Sequence, residues 1–385
     1  MYRFGAQGWT VAASRRDPRV DVLRGLALVM IFIDHIPGDF LNLVTLRNFG
    51  FCDAAEIFVL LAGFASMSAY GKCFEREGAR SGLRRVALRC IRIYLFQLGL
   101  LVTTLAIRRV WVMHFGFGAE DIASIFDDGL ASVGRILTLR ELPAGLDILP
   151  LYIILLTVFP LTYAVIRLFG PGVALAGSAL LWLAANLDPR LNLINALDGK
   201  PWYLNPFAWQ FLFTIGAVLA LTLHASGGNL PRRTWLVWLC WAYLGVAFLE
   251  AAPRTAWGLP DLAPLPIATP DKTSLSPVRL LDALALIYLV LSSRRLGAFV
   301  RRPAFVALEA CGKHSLEVFS LGTLVSLIGQ LAMQTFGIGL EMQLAVNGLG
   351  FAGMFGVGLA LERGRVRTPA RPATRALGAV RNLKR

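Results

Sequence analysis

The 385-residue chain is 56% hydrophobic and only 16% charged, with a formal net charge of +14 and a mean hydropathy of +0.61. A soluble domain of average composition carries about 25% charged residues. The composition therefore points to an all-α, polytopic membrane protein, in which the positive charge reports topology and not nucleic-acid binding. Five scattered cysteines (Cys52, Cys73, Cys90, Cys240, Cys311) without a C-x-x-C pair argue against a disulfide framework or a zinc site.

Residues 1–19 are polar and basic, without a short apolar core running into a small-residue cleavage site. The first hydrophobic segment is accordingly read as a retained transmembrane helix. Windows apolar enough to span fall at 20–36, 52–71, 90–113, 147–169, 172–186, 206–223, 234–250, 278–293, 314–335 and 342–361. Several fall short of the ~20 residues that a bilayer asks of a helix. About ten spans place both ends of the chain on one side, and the segments on that side hold 28 of the 38 Lys and Arg residues. This positive-inside bias predicts an N-in, C-in topology.

The expected organisation is a cytoplasmic segment at 1–19, a transmembrane domain at 20–361 and a basic cytoplasmic tail at 362–385. The tail either rests on anionic lipid headgroups or serves only to fix topology. Among the outer connections, 114–146 carries Glu120, Asp121, Asp127 and Asp128. No fixed-period repeat is evident, nor a matched pair of broken helices of the transporter type.

Ionisable groups inside spans are costly, so each is a functional candidate. They gather in the first two spans. Arg24 and His35 lie eleven residues apart; eleven steps of 100° bring both onto one helix face, about 16 Å apart along the axis. That spacing fits a charged ligand held at one end and chemistry at the other. It equally fits a snorkelling arginine and an unrelated packed polar residue.

His35 is the natural general base. Asp34 adjoins it in sequence but lies about 100° round the helix. Asp53 or Glu56, from the second span, supplies an orienting carboxylate if the two helices pack together; both also suit a helix start. Arg47 lies in the connection between them. His314 opens the ninth span with Glu317 one turn on, as a helix-end anchor or as a group near a phosphorylated donor. Trp202, Tyr203, Asn205, Trp209 and Gln210 read equally as an interfacial aromatic belt and as a sugar-binding platform. His114 and His224 fall at span ends and read as interfacial. No phosphate loop, nucleophile elbow or metal-binding helix motif stands out.

With these residues in view, the chain resembles the OpgC family within the acyltransferase-3 membrane superfamily. Arg24 and His35 match the superfamily's basic residue and histidine separated by ten positions in the first span. The runs from Arg19 to Ala27 and from Glu56 to Phe64 are similar to its opening and its second-helix motif. Ala62 stands where that motif has serine, which removes a hydroxyl there. The narrower resemblance rests on Ile33-Asp34-His35-Ile36-Pro37, on Thr45-Leu46-Arg47-Asn48-Phe49-Gly50-Phe51 and on Asp147-Ile148-Leu149-Pro150-Leu151-Tyr152. It continues in Asn205-Pro206-Phe207-Ala208-Trp209-Gln210, in Asp271-Lys272-Thr273, and in Gly312-Lys313-His314-Ser315-Leu316-Glu317.

The resemblance implies a ten-helix enzyme of the bacterial inner membrane. It would move an acyl group, succinyl in the type case, from cytoplasmic acyl-CoA to osmoregulated periplasmic glucans. Acyl-CoA is then a donor substrate, and no tightly bound cofactor is expected. Arg24 would bind a CoA phosphate and His35 would activate a glucose hydroxyl, with His314 on the donor side. Arg47 and Lys272 are placed with the substrate, Arg47 as a cation for an oxyanion or a succinyl carboxylate. Expected partners are the donor, the glucan and membrane lipids, without nucleic acid; a homo-oligomer is left open. The alternatives are a transporter of glycan or donor without covalent chemistry, and a non-catalytic partner of a glycan synthase.

Overall fold

The computed structural model describes residues 17–118, 122, 125, 130–260 and 270–367. Most of the predicted N-terminal segment, the acidic Glu120, Asp121, Asp127 and Asp128, and the tail from 368 onward lie outside the described residues. Among the described residues the secondary structure is helical, with one isolated bridge pair, Ile194 and Pro201.

Helix α1, Pro18–Asp34, starts where the Asp17 side chain accepts the Arg19 N–H at 3.0 Å and Pro18 takes the first turn. It ends with His35 as its C-cap. Helix α2, Ala54–Ser66, opens on a reciprocal capping box. The Asp53 carboxylate accepts from Ala55 N at 2.8 Å, and Asp53 N donates to the Glu56 carboxylate at 2.9 Å. The chain continues through a π turn at Met67–Gly71 into α3, Lys72–Glu77. Helix α4, Ala79–Phe115, begins well before its predicted apolar window. Its first turns carry exposed Arg80, Arg84 and Arg85, too polar for a span but good helix formers, so the span extends as a basic stem.

Helices α5 (Leu130–Leu137), α6 (Ile148–Phe169), α7 (Pro171–Leu187), α8 (Pro206–Ala225) and α9 (Thr234–Ala251) follow. Next come α10 (Pro277–Ser292), the short α11 (Arg294–Phe299) and α12 (Val306–Lys313), then α13 (Ser315–Phe336) and α14 (Leu340–Arg367). Each predicted window coincides with a helix. Seven stretches among the described residues are long and apolar enough to cross a membrane: α2 with α3, α4, α6, α8, α9, α13 and α14. The other three windows fall on α1, α7 and α10, which are 17, 17 and 16 residues long.

Helix α1 sits at the centre, packed against α2, α12 and α13, while α2 packs along α8 and α13 along α14 and α4. The crossing of α1 with α12 depends on two glycines. Gly25 lies on the carbonyl of Leu308 and Gly312 on that of Asp21, so a Cβ at either position would overlap the partner's backbone. Large apolar side chains such as Leu95, Val102, Leu180, Trp238 and Leu349 cover the outside. The result is a bundle whose central helix carries charge at both ends.

Candidate functional site

At the end where α1 begins, the helices leave an open-mouthed cavity of about 1060 Å³. Its wall takes cationic side chains from four parts of the chain: Arg19 and Arg24 of α1, Lys72 and Arg89, Arg294 and Arg301, and Lys313. Asp17 and Asp21 are the acids there, with Tyr70, Tyr152 and His224 as aromatic neighbours. Arg19 is engaged structurally: it pairs with Asp17 at 2.7 Å and donates to the carbonyls of Gly228 and Leu291 at 2.5 and 3.1 Å. Arg24 is buried, donates from Nη2 to Ser315 Oγ at 2.7 Å, and lays its guanidinium 5.8 Å from the centre of the Phe58 ring. An always-charged fork held this way presents fixed donors to an anionic ligand.

At the far end of α1, His35 Nδ1 stands 2.6 Å from the Ile31 carbonyl oxygen. A carbonyl only accepts, so Nδ1 carries the proton and the neutral ring keeps its lone pair on Nε2. His35 is exposed. The glycine of the 140s connection faces the ring: a Cβ at Gly145 would lie 3.4 Å from His35 Cδ2 and 3.7 Å from Nε2.

The carboxylates predicted near His35 are engaged elsewhere. Asp34 accepts from Thr45 Oγ1 at 2.7 Å. Asp53 pairs with Lys272 at 2.5 Å and with Arg279 at 3.2 Å, and the fully buried Glu56 pairs with Arg279 at 2.7 Å. The position behind the imidazole is therefore held by the Ile31 carbonyl. Burial alone would lower the pKa of the Lys272 ammonium, but the Asp53 and Glu56 carboxylates outweigh it and raise it. Arg47 is exposed on a short turn beyond α1, near Asp34.

The aromatic and amide cluster organises loops. The Trp209 indole donates to the carbonyls of Lys272 and Thr273 at 3.1 and 3.2 Å, fixing the segment that carries Lys272. Asn205 caps α8 by accepting from Phe207 N at 3.0 Å and donates to Leu191 O at 2.7 Å. Gln210 bonds Ser178 from both ends of its amide, and Trp202 is buried. Tyr203, which the sequence grouped with them, is 54% exposed and lies under Lys272 Nζ at 5.5 Å. His314 faces Glu362 at 3.1 Å in the break between α12 and α13; its neighbour Lys313 is the one that reaches the cavity.

Sequence reasoning passed over Lys72, Arg89, Arg294 and Arg301 as topology determinants, and His224 as interfacial. Their common signal, basic residues from separate segments of one membrane side, was present in the sequence, but convergence on one cavity is a tertiary fact. Among the described residues no group of three or more His, Cys, Asp or Glu is gathered in a way that could hold a metal ion.

A helical membrane bundle with a cationic cavity under one end of a central helix, and an imidazole with a free lone pair at the other, defines a polytopic membrane protein with two linked polar sites. A family model described as OpgC protein matches residues 16–366. The chain belongs to the OpgC family, and at that level it is a glucan-modifying membrane protein and a transferase. No curated protein and no solved structure matches the chain.

Proposed function

We propose that the protein transfers an acyl group, succinyl in the favoured case, from cytoplasmic acyl-CoA to hydroxyls of a periplasmic glucan in the bacterial inner membrane. The observation that carries this reading is the division of labour along α1: Arg24 in a cavity walled by cations, and His35 with Nδ1 tied to Ile31 and Nε2 left as a base. The cavity end is taken as cytoplasmic because the basic segments concentrate there. The phosphates of CoA bind in the cavity, with Arg24 as a bidentate anchor. The thin pantetheine arm then carries the thioester about 16 Å along α1, the rise of eleven helical residues. A glucan hydroxyl arriving from the periplasm gives its proton to His35 Nε2 as its oxygen attacks the thioester carbon. Tyr203, exposed on the acceptor side, and the half-buried Lys272 above it meet the glucan there.

Mass spectrometry of periplasmic glucans is the test. Cells with the wild-type protein should show the added acyl mass, and cells with His35→Gln should produce the same quantity of glucan without it. Normal decoration in the His35→Gln strain would overturn the base assignment. Loss of glucan from the periplasm, in place of loss of its decoration, would favour a transporter.

A further inference from the structure

A seam runs between α1 and α13 from Arg24 to His35. At its basic end Arg24 donates to Ser315. Eleven residues along α13, the spacing that separates Arg24 from His35, stands Ser326. There the two helices leave a gap of about 10 Å³, walled by His35, Thr323 and Ser326 among apolar residues that include Phe32, Phe319 and Gly322. Apart from the imidazole, the two hydroxyls are the polar side chains lining it, and Ser326 is 3% exposed.

A space of that size holds about one water, and so one oxygen atom. Acyl transfer creates one oxygen with a new full charge, and that oxygen needs donors already in place around it. We propose that Ser326 and Thr323 donate hydrogen bonds to the oxyanion of the tetrahedral intermediate, an inference that rests on the acyl-transfer reading above. In this step the glucan oxygen bonds to the thioester carbon and its proton passes to His35 Nε2. The carbonyl electron pair moves onto the oxygen seated in the gap. When the carbonyl re-forms, the carbon–sulfur bond breaks and the departing CoA sulfur takes the proton back from His35.

The donors are free to turn. Ser326 Oγ now donates to Thr323 O at 3.0 Å, and Thr323 Oγ1 to Phe319 O at 3.0 Å. Both carbonyls lie within α13 and also accept the N–H four residues on, so rotating either hydroxyl toward the gap strands no backbone acceptor. Neither residue belonged to any predicted motif, because isolated hydroxyls in an apolar helix carry no local signal.

The test uses the full-length protein in lipid nanodiscs with succinyl-CoA and unsubstituted periplasmic glucan, following release of the CoA thiol. Ser326→Ala combined with Thr323→Val should lower kcat by about 10²-fold or more, with KM for succinyl-CoA unchanged. Ser326→Thr, which keeps a hydroxyl, should retain most of the rate. Wild-type kcat in the double variant would overturn the assignment, and so would an equal loss in Ser326→Thr, which would indicate packing. If Ser326→Ala does not fold, the isosteric Thr323→Val carries the test by the same split between kcat and KM. Wild type and His35→Gln are run alongside: an active His35→Gln protein removes the base assignment, and a wild-type protein that releases no CoA thiol sinks the acyl-transfer reading itself. An inactive His35→Gln protein beside a fully active double variant removes the oxyanion donors alone.

Discussion

An imidazole anchored through Nδ1 to a peptide carbonyl is held in one tautomer, but it gains less stabilisation of its protonated form than a carboxylate would give. Around it, the charges that a carboxylate role would have needed are used to join α2, α10 and the segment carrying Lys272. Their contributions differ by burial. Arg279 is 11% exposed and faces Glu56 at 0%, so Arg279→Gln strands a buried carboxylate and should destabilise by about 3–5 kcal/mol. Lys272 is 24% exposed and Asp53 keeps Arg279 as a partner, so Lys272→Gln should cost only about 1 kcal/mol. Thermal unfolding midpoints in detergent check the ordering; equal losses would contradict it. At the other end of α1, Arg24→Lys keeps the charge and loses the fork. It should raise KM for acyl-CoA with little change in kcat, and an unaltered KM would mean that Arg24 does not bind the donor.

At the scale of elements, the connection before α6 is the least local part of the site. Gly145 faces His35 with φ +82, a conformation that a side chain resists. The segment is held there from a distance: Asn195 accepts from Leu142 N at 3.0 Å and donates to Leu142 O at 2.8 Å, and the buried Gln97 donates to Leu146 O at 3.2 Å. Gly145→Ala strains this backbone and places a methyl beside Nε2, so turnover should fall while acyl-CoA binding by calorimetry stays unchanged. A fully active Gly145→Ala protein would show that the connection does not govern access to His35. The helices themselves were legible, because long apolar windows, the Asp53–Glu56 capping box and prolines at helix starts are local signals. So was the placement of Arg24 on α1 with His35 at its end. The clamp between Leu142 and Asn195 and the Ser326 gap were not, since each joins segments or helices whose mutual placement no local pattern records.

At the scale of the molecule, the same basic residues that orient the chain also wall the cavity. Positive-inside charge is generic, and any lysine or arginine near a helix end satisfies it. The cavity is specific, because Lys72 and Arg89, Arg294 and Arg301, and Lys313 reach one space from three segments besides α1. Charges of one sign within low-dielectric walls focus their field and raise the local concentration of an oppositely charged ligand. If orientation were their whole role, replacing two of them and restoring the charge elsewhere on the same side would leave activity intact. The variant Arg294→Gln with Arg301→Gln, carrying compensating Leu83→Lys and Leu88→Lys on the exposed α4 stem, separates the two roles. Topology should be preserved, as read by accessibility of a cysteine tag at each end. KM for acyl-CoA should rise about tenfold or more, and the difference from wild type should shrink as salt screens the remaining field. An unchanged KM with intact topology would return these arginines to orientation alone.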